Sequence, residues 1–544
     1  MAETQFSPGV VTIENDQPII NTQPIQVGAA IIGPTVKGPN EIPTTCTSYS
    51  DYVSKYGDIF TSGSQTYSYY TSISAYNYFQ AGGTTLLVTR VTSGSFTPAT
   101  STLIPNAIES GVLSTETNNL LTSLSGITGS VGTFTISGSV SVGGAGFTGS
   151  ITLTDSTTVS SITATSGNGY SIGNTITIPS ASLGFIGSSV GTNTIITLDS
   201  SNIINNNAFT LETLSEGEIM NSISSQNSDG SLPSGSIDNL RWEIQSPDTD
   251  EGTFSLLIRR GNDDTESPVI LETWNNLSLD PTSPNYIEKA IGNQKEQILQ
   301  DGAEFYVDLI GNYINQSLYV RVKSVDNPTY EYLSNAGDPK TEFTGSIPIV
   351  STGSFEGAVG SNIPGPSAGA GQYYEKISNT GNTQGLVSSD YTQAINLLAN
   401  KEEFKYNYIT VPGLIKDFST HASNISALIT KCQERGDTLA IIDLEDYQSQ
   451  LLEVTTEAKS INSSYAATYW PWVQTIDPST SQQVFVPAST IIPSVFAFND
   501  SVAEVWNAPA GTARGVMSTV IRAEKKLTKS QRDSLYKANV NPLT

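Results

Sequence analysis

The sequence contains little histidine, cysteine or positive charge. One histidine, His421, and two cysteines, Cys46 and Cys432, occur among 544 residues. Zinc sites need three or four histidine, cysteine or acidic ligands held together, so a site built from histidine and cysteine is excluded. Two distant cysteines also cannot form the dense disulfide framework of small secreted domains, and they indicate a fold made in a reducing compartment.

Positive charge is scarce along the whole chain. The chain has 25 Lys and Arg residues against 51 Asp and Glu residues, a formal net charge of −26. Between Arg90 and Arg241 there is no lysine or arginine. An acidic surface repels nucleic-acid phosphates and anionic lipids, and attracts basic protein surfaces. We therefore expect no direct contact with nucleic acid.

Long apolar runs are absent too. No run approaches the roughly 20 residues that cross a bilayer, and the first residues, MAETQFSPGV, lack the pattern of a secretory signal peptide. The sequence predicts no membrane insertion and no export signal. A chain of 544 residues is too long for a single core, so we expect about three or four domains.

Composition changes near residue 95, where a segment rich in Ser, Thr, Gly, Ile and Val begins. Apolar and polar residues alternate in GTFTISGSVSVGG (132–144) and YSIGNTITI (170–178). This period of two is typical of half-buried strands between glycine turns, whereas a disordered Ser/Gly linker would not repeat β-branched residues. The pattern predicts an inserted all-β domain at residues 96–206.

Charged residues return after residue 206, and the pattern becomes mixed. TFSLLIRRG (253–261) and LYVRVKSV (318–325) have the composition of strands, and SPNYIEKAIG (283–292) has helical spacing that ends at a glycine. A Gly-, Pro- and Ser-rich connection follows at 344–372. We interpret residues 207–359 as a second inserted, β-rich mixed domain with its linker.

The segments on either side of these inserts alternate strands and helices. VGAAIIG (27–33), LLVTRV (86–91), YNYITV (406–411) and TLAIIDL (438–444) are strand candidates. Helices are predicted at 48–57, at the face of Tyr69, Ile73, Tyr76 and Phe79, at the stripe of Ile425, Leu428, Ile429 and Cys432 before Gly436, and at the face of Tyr447, Leu451, Val454 and Ala458. This alternation indicates a parallel α/β layer.

These assignments give a multidomain α+β fold. The predicted arrangement has an extended N-terminal arm at 1–22 and a discontinuous α/β core at 23–95 and 360–544. The two inserts interrupt this core, and the first is all-β while the second is β-rich and mixed.

A possible hydrolase motif occurs in the glycine-rich connection. GPSAG (365–369) matches G-x-S-x-G, but that elbow requires a strand before the serine and a helix after it. The order Ser367, His421, Asp443 also differs from the Ser, acid, His order of α/β hydrolases. We interpret the motif as a linker and predict that the protein is not an enzyme.

Calcium and nucleotide sites are not supported either. DTDEG (248–252) resembles part of a calcium loop, but Gly252 stands at the third ligand position and Arg259 at the twelfth, where a bidentate glutamate belongs. No Gly-Lys pair of a phosphate-binding loop occurs, and GSFEGAVG (353–360) lacks the strand that precedes a dinucleotide fingerprint. We expect no metal and no cofactor.

Aromatic residues and prolines concentrate at 463–510, which contains three of the five tryptophans. Within it, TYWPWVQ should lie at a sheet edge or a bend, because Pro471 has no N–H for a ladder. The aromatic residues singled out are Tyr469, Trp470, Trp472 and Trp506. Two interpretations stay open: core positions beside a bulge, or anchors of a subunit contact.

The N-terminal segment FSPGVVTIE (6–14) is a short apolar strand with no hairpin partner nearby. The following NDQPIINTQPIQ (15–26) is polar and has prolines at 18 and 24, so it suits an extended hinge. The strand therefore needs an edge from elsewhere for its backbone hydrogen bonds.

Six segments together resemble the contractile-tail sheath protein of myovirus-type bacteriophages. Each is weak alone, but they occur in the family's order and cover 1–95, about 370–544 and part of the second insert. The β domain at 96–206 is outside the resemblance. The segments are FSPGV (6–10), AIIGPTVKGPN (30–40), YNYFQAGGTTLLVTRV (76–91), NLSLDPTSPNYIEKAIG (276–292), ATYWPWVQTIDP (467–478) and WNAPAGTARGV (506–516).

The resemblance implies a structural polymer. Copies of the chain would form six-fold rings, stacked helically around a tail tube, and would contract to drive the tube through the host envelope during genome delivery. The implied partners are other copies of this chain, the tail tube protein, and the baseplate and tail terminator proteins. The implied location is the virion tail, assembled in the cytoplasm of the host bacterium.

The resemblance also implies that terminal arms cross to neighbouring subunits. The arm would then find its edge on another copy, with the contact made by Phe6, Pro8, Gly9, Val10, Val11 and Ile13. The sequence departs from the family by ending at ANVNPLT (538–544), where the family continues into the other arm. We therefore expect the C-terminal arm region to be absent, and such a chain to be hindered in polymerising.

Two other functions stay open. A sheath of a non-viral contractile injection system would have the same core, and large inserts favour the phage. A phage fibre or adhesin with a receptor-binding β domain would explain residues 96–206, but fibres usually repeat such modules and this chain has one.

Overall fold

The computed structural model describes residues 27–544 with gaps. The gaps are residues 63–64, 104–111, 114–116, 118–119, 128, 141–144, 169, 171–173, 185–191, 199–202, 205–206, 228, 265, 303, 361–387 and 504–506. The predicted arm at 1–22, Ser367 and Trp506 lie outside the described residues.

The first part of the chain alternates strands and helices as predicted. Helix α1 begins after Ser48, whose side chain accepts a hydrogen bond from the Asp51 N–H, and ends at Gly57, which has φ of 70°. The elements are β1 (Val27–Gly33), β2 (Thr44–Cys46), α1 (Tyr49–Tyr56), β3 (Phe60–Ser62), β4 (Gln65–Tyr67), α2 (Tyr70–Gln80) and β5 (Leu86–Arg90).

The next part is built from strands and short 3-10 turns. In β9 and β11, apolar residues such as Ile136 and Ile151 point into a core while the neighbouring hydroxyl residues stay exposed. The strands are β6 (Pro98–Leu103), β7 (Val112–Leu113), β8 (Leu124–Ser125), β9 (Gly132–Ser137), β10 (Ser139–Val140), β11 (Ala145–Leu153), β12 (Val159–Asn168), β13 (Thr175–Ile178), β14 (Thr194–Thr197) and β15 (Ile203–Ile204).

Longer strands and two short helices follow. The helical spacing at 283–292 gives a helix of only five residues, which Gly292 ends with φ of 106°. The elements are β16 (Phe209–Glu216), β17 (Leu240–Asp248), β18 (Thr253–Arg260), β19 (Ile270–Ser278), α3 (Ile287–Ile291), β20 (Lys295–Asp301), β21 (Glu304–Ile310), β22 (Val320–Val325), α4 (Thr341–Thr344) and β23 (Ser351–Ser354).

The last part returns to alternating helices and strands. Gly436, in the left-handed conformation with φ of 75°, ends α6 where the sequence predicted. The elements are α5 (Ser388–Leu398), β24 (Tyr406–Ile415), α6 (Ala422–Arg435), β25 (Leu439–Asp443), α7 (Leu451–Ser460), β26 (Ala466–Trp470), β27 (Val473–Ile476), β28 (Gln483–Val486), α8 (Ala488–Val502), α9 (Gly511–Arg514), β29 (Val520–Ala523), α10 (Lys529–Lys537) and β30 (Asn541–Pro542).

Two helices differ from their predicted extents or faces. Helix α7 begins at Leu451 because Gln450 and Glu453 form a capping box, so Tyr447 lies before the helix. Helix α2 is buried on most sides, not on one face, because it packs against α8 as well as against the strands β1 and β24.

A seven-stranded central sheet joins the two ends of the described chain. Its strand order is β2-β5-β1-β24-β25-β26-β30, and every neighbouring pair is parallel except β2 with β5. Strands β5 and β24 are buried along nearly their whole length, as expected for a parallel sheet covered on both faces. Helices α5 and α6 form a second packed pair against this sheet.

The chain is a mixed α+β protein with many sheets. The buried apolar residues of its described part form three clusters. The largest surrounds the central sheet. The second lies between residues 99 and 358 around the sheets β22-β16-β6 and β19-β18-β17-β23. The third lies between 113 and 198 around β12-β11-β9 and β10-β13-β14-β8. Strand β6, inside the predicted first insert, pairs with β16 of the predicted second insert.

Candidate functional site: the aromatic segment at the end of the central sheet

The chain leaves the central sheet within the aromatic segment. Strand β26 ends at Trp470 beside β25, and β27 begins at Val473 in a separate sheet with β28 and β29. Pro471 lies between these two sheets, where its missing N–H costs no ladder bond. The predicted bend at Pro471 is therefore confirmed.

The two tryptophans beside Pro471 are buried in the cluster of the central sheet, with exposed fractions of 4% for Trp470 and 3% for Trp472. Trp470 Nε1 donates to Ser449 Oγ at 3.2 Å, and Lys525 Nζ lies 5.4 Å from the Trp470 ring. Trp472 Nε1 donates to the Glu445 carbonyl at 3.0 Å. Tyr469 is half-buried on the same strand, and burial raises its pKa to about 12.

Beside Trp472 the surface opens into a pocket of about 250 Å³, here named the aromatic pocket. The Trp472 ring centroid lies 5.8 Å from that of Tyr447 and 6.5 Å from that of Tyr70, and the Tyr447 and Phe485 centroids are 4.8 Å apart. Its aromatic lining consists of Tyr67, Tyr70, Tyr447, Trp472 and Phe485.

Asp477 closes one side of the aromatic pocket and shapes the turn between β27 and β28. Its carboxylate accepts hydrogen bonds from Ser68 Oγ at 3.0 Å, from the Ser479 N–H at 3.0 Å and from Thr480 Oγ1 at 2.8 Å. The bond to Ser68 joins this turn to the segment before α2. The two walls of the pocket are thus fixed relative to each other, although they are about 400 residues apart in sequence.

Asp443 lies at the carboxyl end of β25, within the same cluster. Its carboxylate accepts hydrogen bonds from the Ser489 N–H at 3.1 Å and from Ser489 Oγ, which ties the strand to the start of α8. Burial raises the pKa of Asp443 from 3.8 to about 7, against the opposing effect of the Ser489 hydrogen bonds.

Replacing Asp443 by asparagine should change how stability depends on pH. Between about pH 4 and 7 the folded state holds a proton that the unfolded chain has lost, so stability falls as pH rises through this window. We expect Asp443→Asn to have the same free energy of unfolding as the parent at pH 4 and a larger one at pH 8. The difference should be on the order of 1.4 kcal/mol for each unit by which the pKa of Asp443 is raised in the folded state. Urea unfolding measured at both pH values checks this.

Asp250→Asn is the matched control, because Asp250 lies in an exposed turn. It should unfold at the same urea concentration as the parent at pH 8. An Asp443→Asn variant whose stability tracks the parent at every pH would contradict the raised pKa.

Of the three residues considered for a hydrolase, the structure describes His421 and Asp443. Asp443 accepts hydrogen bonds from Ser489, while His421 is fully buried and its Nδ1 accepts a hydrogen bond from the Ile415 N–H at 3.0 Å.

The turn at 248–252, which resembles part of a calcium loop, is held by Asp248 Oδ1, which accepts hydrogen bonds from the N–H groups of Asp250 and Glu251. Within the described ranges, no three His, Cys, Asp or Glu side chains are grouped to hold a metal ion, and no described helix is long and apolar enough to cross a membrane.

Only some of the residues at this site were predicted from the sequence. Tyr469, Trp470 and Trp472 lie together, and their role in a subunit contact stays a prediction. The predicted arm contacts and Trp506 are outside the described residues. No local signal relates side chains so far apart in sequence, so four pocket residues were not predicted: Tyr67, Tyr70, Tyr447 and Phe485.

Comparison with known proteins gives a family for this end of the chain. Residues 384–544, which contain most of the central sheet and the aromatic segment, match the family model described as phage tail sheath protein central domain. The predicted resemblance to the phage tail sheath family is confirmed over residues 384–544.

Two curated relatives carry the name of this family. The tail sheath protein of Enterobacteria phage T4 is 30% identical over 107 residues, which are 20% of this chain and 16% of that protein. The tail sheath protein of Vibrio phage KVP40 is 30% identical over 92 residues, 17% of this chain and 13% of that protein. The matched stretch thus spans less than a fifth of each of these tail sheath proteins.

Two solved structures of sheath tail proteins also align with the chain. The alignment with the protein from Listeria innocua covers 95% of this chain and 66% of the Listeria chain, at 9% sequence identity and with a TM-score of 0.40. The protein from Desulfitobacterium hafniense aligns with 98% of this chain and 72% of its own at 9% identity, with a TM-score of 0.33. Scores this low do not establish a shared fold.

Proposed function

We propose that this chain is a structural subunit of a phage contractile tail sheath. The observation that carries the proposal is the match of residues 384–544 to the tail sheath central domain. The names of the T4 and KVP40 relatives agree with it. The subunit would belong to the virion tail and assemble in the cytoplasm of the host bacterium.

The subunit works by self-association. Copies of the chain form six-fold rings that stack helically around the tail tube, between the baseplate and the tail terminator. Assembly on the tube traps the subunits in an arrangement of higher free energy, and the baseplate releases them into a better-packed, shorter array. Contraction then drives the tube through the host envelope. This mechanism uses interface free energy and no catalytic residue.

The division into domains supports this mechanism. The core, at 23–95 and 360–544, contributes the strands of the central sheet, and the inserts at 96–206 and 207–359 project from it. The three separate apolar clusters support this division. The pairing of β6 with β16 suggests that the first boundary lies nearer residue 104 than 96.

The extended N-terminal arm keeps neighbours connected while the rings move. Residues 6–14 add as a strand to the sheet of another copy, and each backbone hydrogen bond contributes about 0.5–1.5 kcal/mol net. A strand of four or five such bonds is modest alone. Repeated at every subunit, it holds the lattice together while other interfaces exchange.

Negative-stain microscopy of the purified protein, with and without its co-expressed tail tube protein, tests the proposal. We expect sheaths around tubes when the tube protein is present as a template, and few hollow tubes without it. Uniform monomers under both conditions, or trimeric rods, would contradict the sheath function.

A further inference from the structure

The aromatic pocket has the construction of a peptide-binding groove. Trp472 and Tyr70, with exposed fractions of 3% and 5%, are its buried aromatic residues, while Tyr67, Tyr447 and Phe485 are half-buried and reach the solvent. Trp472 Nε1 is bonded to the Glu445 carbonyl and its ring forms the buried floor, so the accessible apolar area comes from the three half-buried rings. A rigid aromatic surface of this kind binds apolar groups with little loss of side-chain entropy.

Hydrogen-bond donors lie among these rings. The hydroxyls of Tyr67 and Tyr447 and the side-chain amide of Gln482 belong to residues that line the pocket. Aromatic rings combined with a few donors are the elements that recognise polyproline II segments, whose prolines fit between rings and whose carbonyls have no internal partners. The chemistry of the pocket therefore fits an extended, proline-containing peptide.

The chain itself contains such a peptide. The sequence Gln-Pro-Ile occurs at 17–19 and again at 23–25, within the uncharged stretch QPIINTQPIQ. A polyproline II helix has three residues per turn, so a spacing of six places both prolines on one side of the peptide. The absence of charge also matters, because a chain of net charge −26 repels acidic segments.

The geometry of the central sheet limits which repeat can reach the pocket of its own subunit. The register of the parallel strands pairs Ala30 of β1 with Ile409, Ile409 with Ala440, and Ala440 with Ala466 of β26. Ala30 and Ala466 therefore lie at the same height in the sheet, three strand spacings apart. Val27 lies three residues below that level and Trp470 four residues above it. At a rise of about 3.3 Å per residue and a strand spacing of about 4.8 Å, Val27 and Trp470 are roughly 27 Å apart.

The second Gln-Pro-Ile repeat cannot cover this distance within one copy. Pro24 is three residues before Val27, and three extended residues reach at most about 11 Å. The repeat at 23–25 is therefore too close to β1 to enter the pocket of its own subunit.

We propose that the aromatic pocket binds the proline-containing segment 17–25 of a second copy of this chain. The pocket takes the Gln-Pro-Ile repeat at 23–25, with the proline ring against the half-buried rings of Tyr447 and Phe485 and the peptide carbonyls toward the tyrosine hydroxyls. The assignment to a second copy in an assembly rests on the proposed sheath function. The binding of the peptide by the pocket does not.

A peptide titration tests the binding. The probe is a fluorescein-labelled peptide of residues 14–27, ENDQPIINTQPIQV, and its fluorescence anisotropy is followed as protein is added. The protein is the full chain with Pro18→Ala and Pro24→Ala, so that its own segment does not compete. We expect saturable binding, and at least tenfold weaker binding of a peptide with alanine at both prolines.

Pocket variants localise the binding. Phe485→Ala should weaken binding of the peptide at least tenfold, and the double variant Tyr67→Phe, Tyr447→Phe should weaken it while keeping the rings in place. Tyr536→Ala removes an aromatic ring that is 79% exposed on α10 and should change nothing. Absence of binding, equal binding of the alanine peptide, or full binding by both pocket variants would overturn the proposal.

Mixed labelling identifies the copy that supplies the segment. A photoreactive benzoylphenylalanine at Ile19 is introduced into unlabelled chains, which are mixed with nitrogen-15 chains before irradiation. Cross-links from Ile19 to pocket peptides of the labelled chains support a second copy. Cross-links found only within unlabelled chains, or only to another protein, refute that assignment. Tubes that form without such cross-links refute the inference, and the sheath function then stands. Peptide binding by a protein that forms no tubes supports binding by the pocket and contradicts the sheath function.

Discussion

A chain that lacks residues 1–20 should remain in single subunits under conditions in which the full chain forms tubes. The deletion removes the strand FSPGVVTIE and with it the backbone hydrogen bonds proposed to connect neighbours. The interfaces of a contractile lattice must exchange, so they cannot replace a permanent link. Sedimentation velocity and negative-stain microscopy measure the outcome, and we expect the fraction of polymerised subunits to fall at least tenfold.

A point variant tests whether polymerisation requires residues 6–14 to pair as a strand, or only requires the N-terminal segment to be present. Val11→Pro removes one N–H in the middle of the predicted strand and should reduce polymerisation as the deletion does. Thr4→Pro makes the same change before the strand and is the matched control. Normal tubes from the deletion variant would refute strand exchange between copies.

The second large effect is expected at Asp263, in the cluster around β17 and β18. Its side chain is fully buried and pairs with two buried arginines: Arg241 Nη1 to Oδ1 at 2.8 Å, and Arg259 Nε to Oδ2 at 2.7 Å. Asp263 Oδ2 also accepts the Val269 N–H at 2.9 Å. Asp263 thus pairs with two guanidinium groups that have little contact with water, and Arg259 also pairs with Glu243.

Asp263→Ala should lower the free energy of unfolding of this cluster by about 3–5 kcal/mol, because it leaves buried charges without their partner. Urea unfolding followed by tryptophan fluorescence measures the loss, since Trp242 lies next to Arg241 on β17. Asp250→Ala, which removes an exposed carboxylate, should cost less than about 0.5 kcal/mol. A loss for Asp263→Ala as small as that of the control would contradict the dependence of these buried charges on Asp263, although Arg259 keeps Glu243 at 2.7 Å from its Nη1.

Helices and strands were predictable where an apolar pattern ends at a residue that also stops the element, such as a glycine. Strand β1 occupies 27–33, as its apolar run indicated, and α6 ends at Gly436 because a glycine adopts the left-handed conformation without strain. The start of α7 was not predicted, because the reciprocal bonds of Gln450 and Glu453 outweigh the apolar periodicity that includes Tyr447. Periodicity reports which residues face a core, and it does not report where the backbone becomes helical.

The candidate site was predictable only as a segment. The concentration of tryptophan and proline at 463–510 identified Trp470, Pro471 and Trp472, and their burial follows from their size and apolar character. The aromatic pocket also needs Tyr67 and Tyr447, which approach Trp472 only because separate segments meet at the end of the central sheet. The hydrogen bond between Ser68 and Asp477 joins its two walls.

The sequence by itself determined the acidic character of the protein, the alternation of strands and helices in its flanks, the β nature of the first insert and the resemblance to tail sheath proteins. These properties depend on composition and on neighbours in sequence. The tertiary structure decided that strands from both flanks share one sheet, that Asp263 is enclosed by two arginines, and that five distant aromatic residues surround one pocket. Such contacts arise when chain segments hundreds of residues apart bury their apolar faces together, and no local pattern encodes which segments will meet.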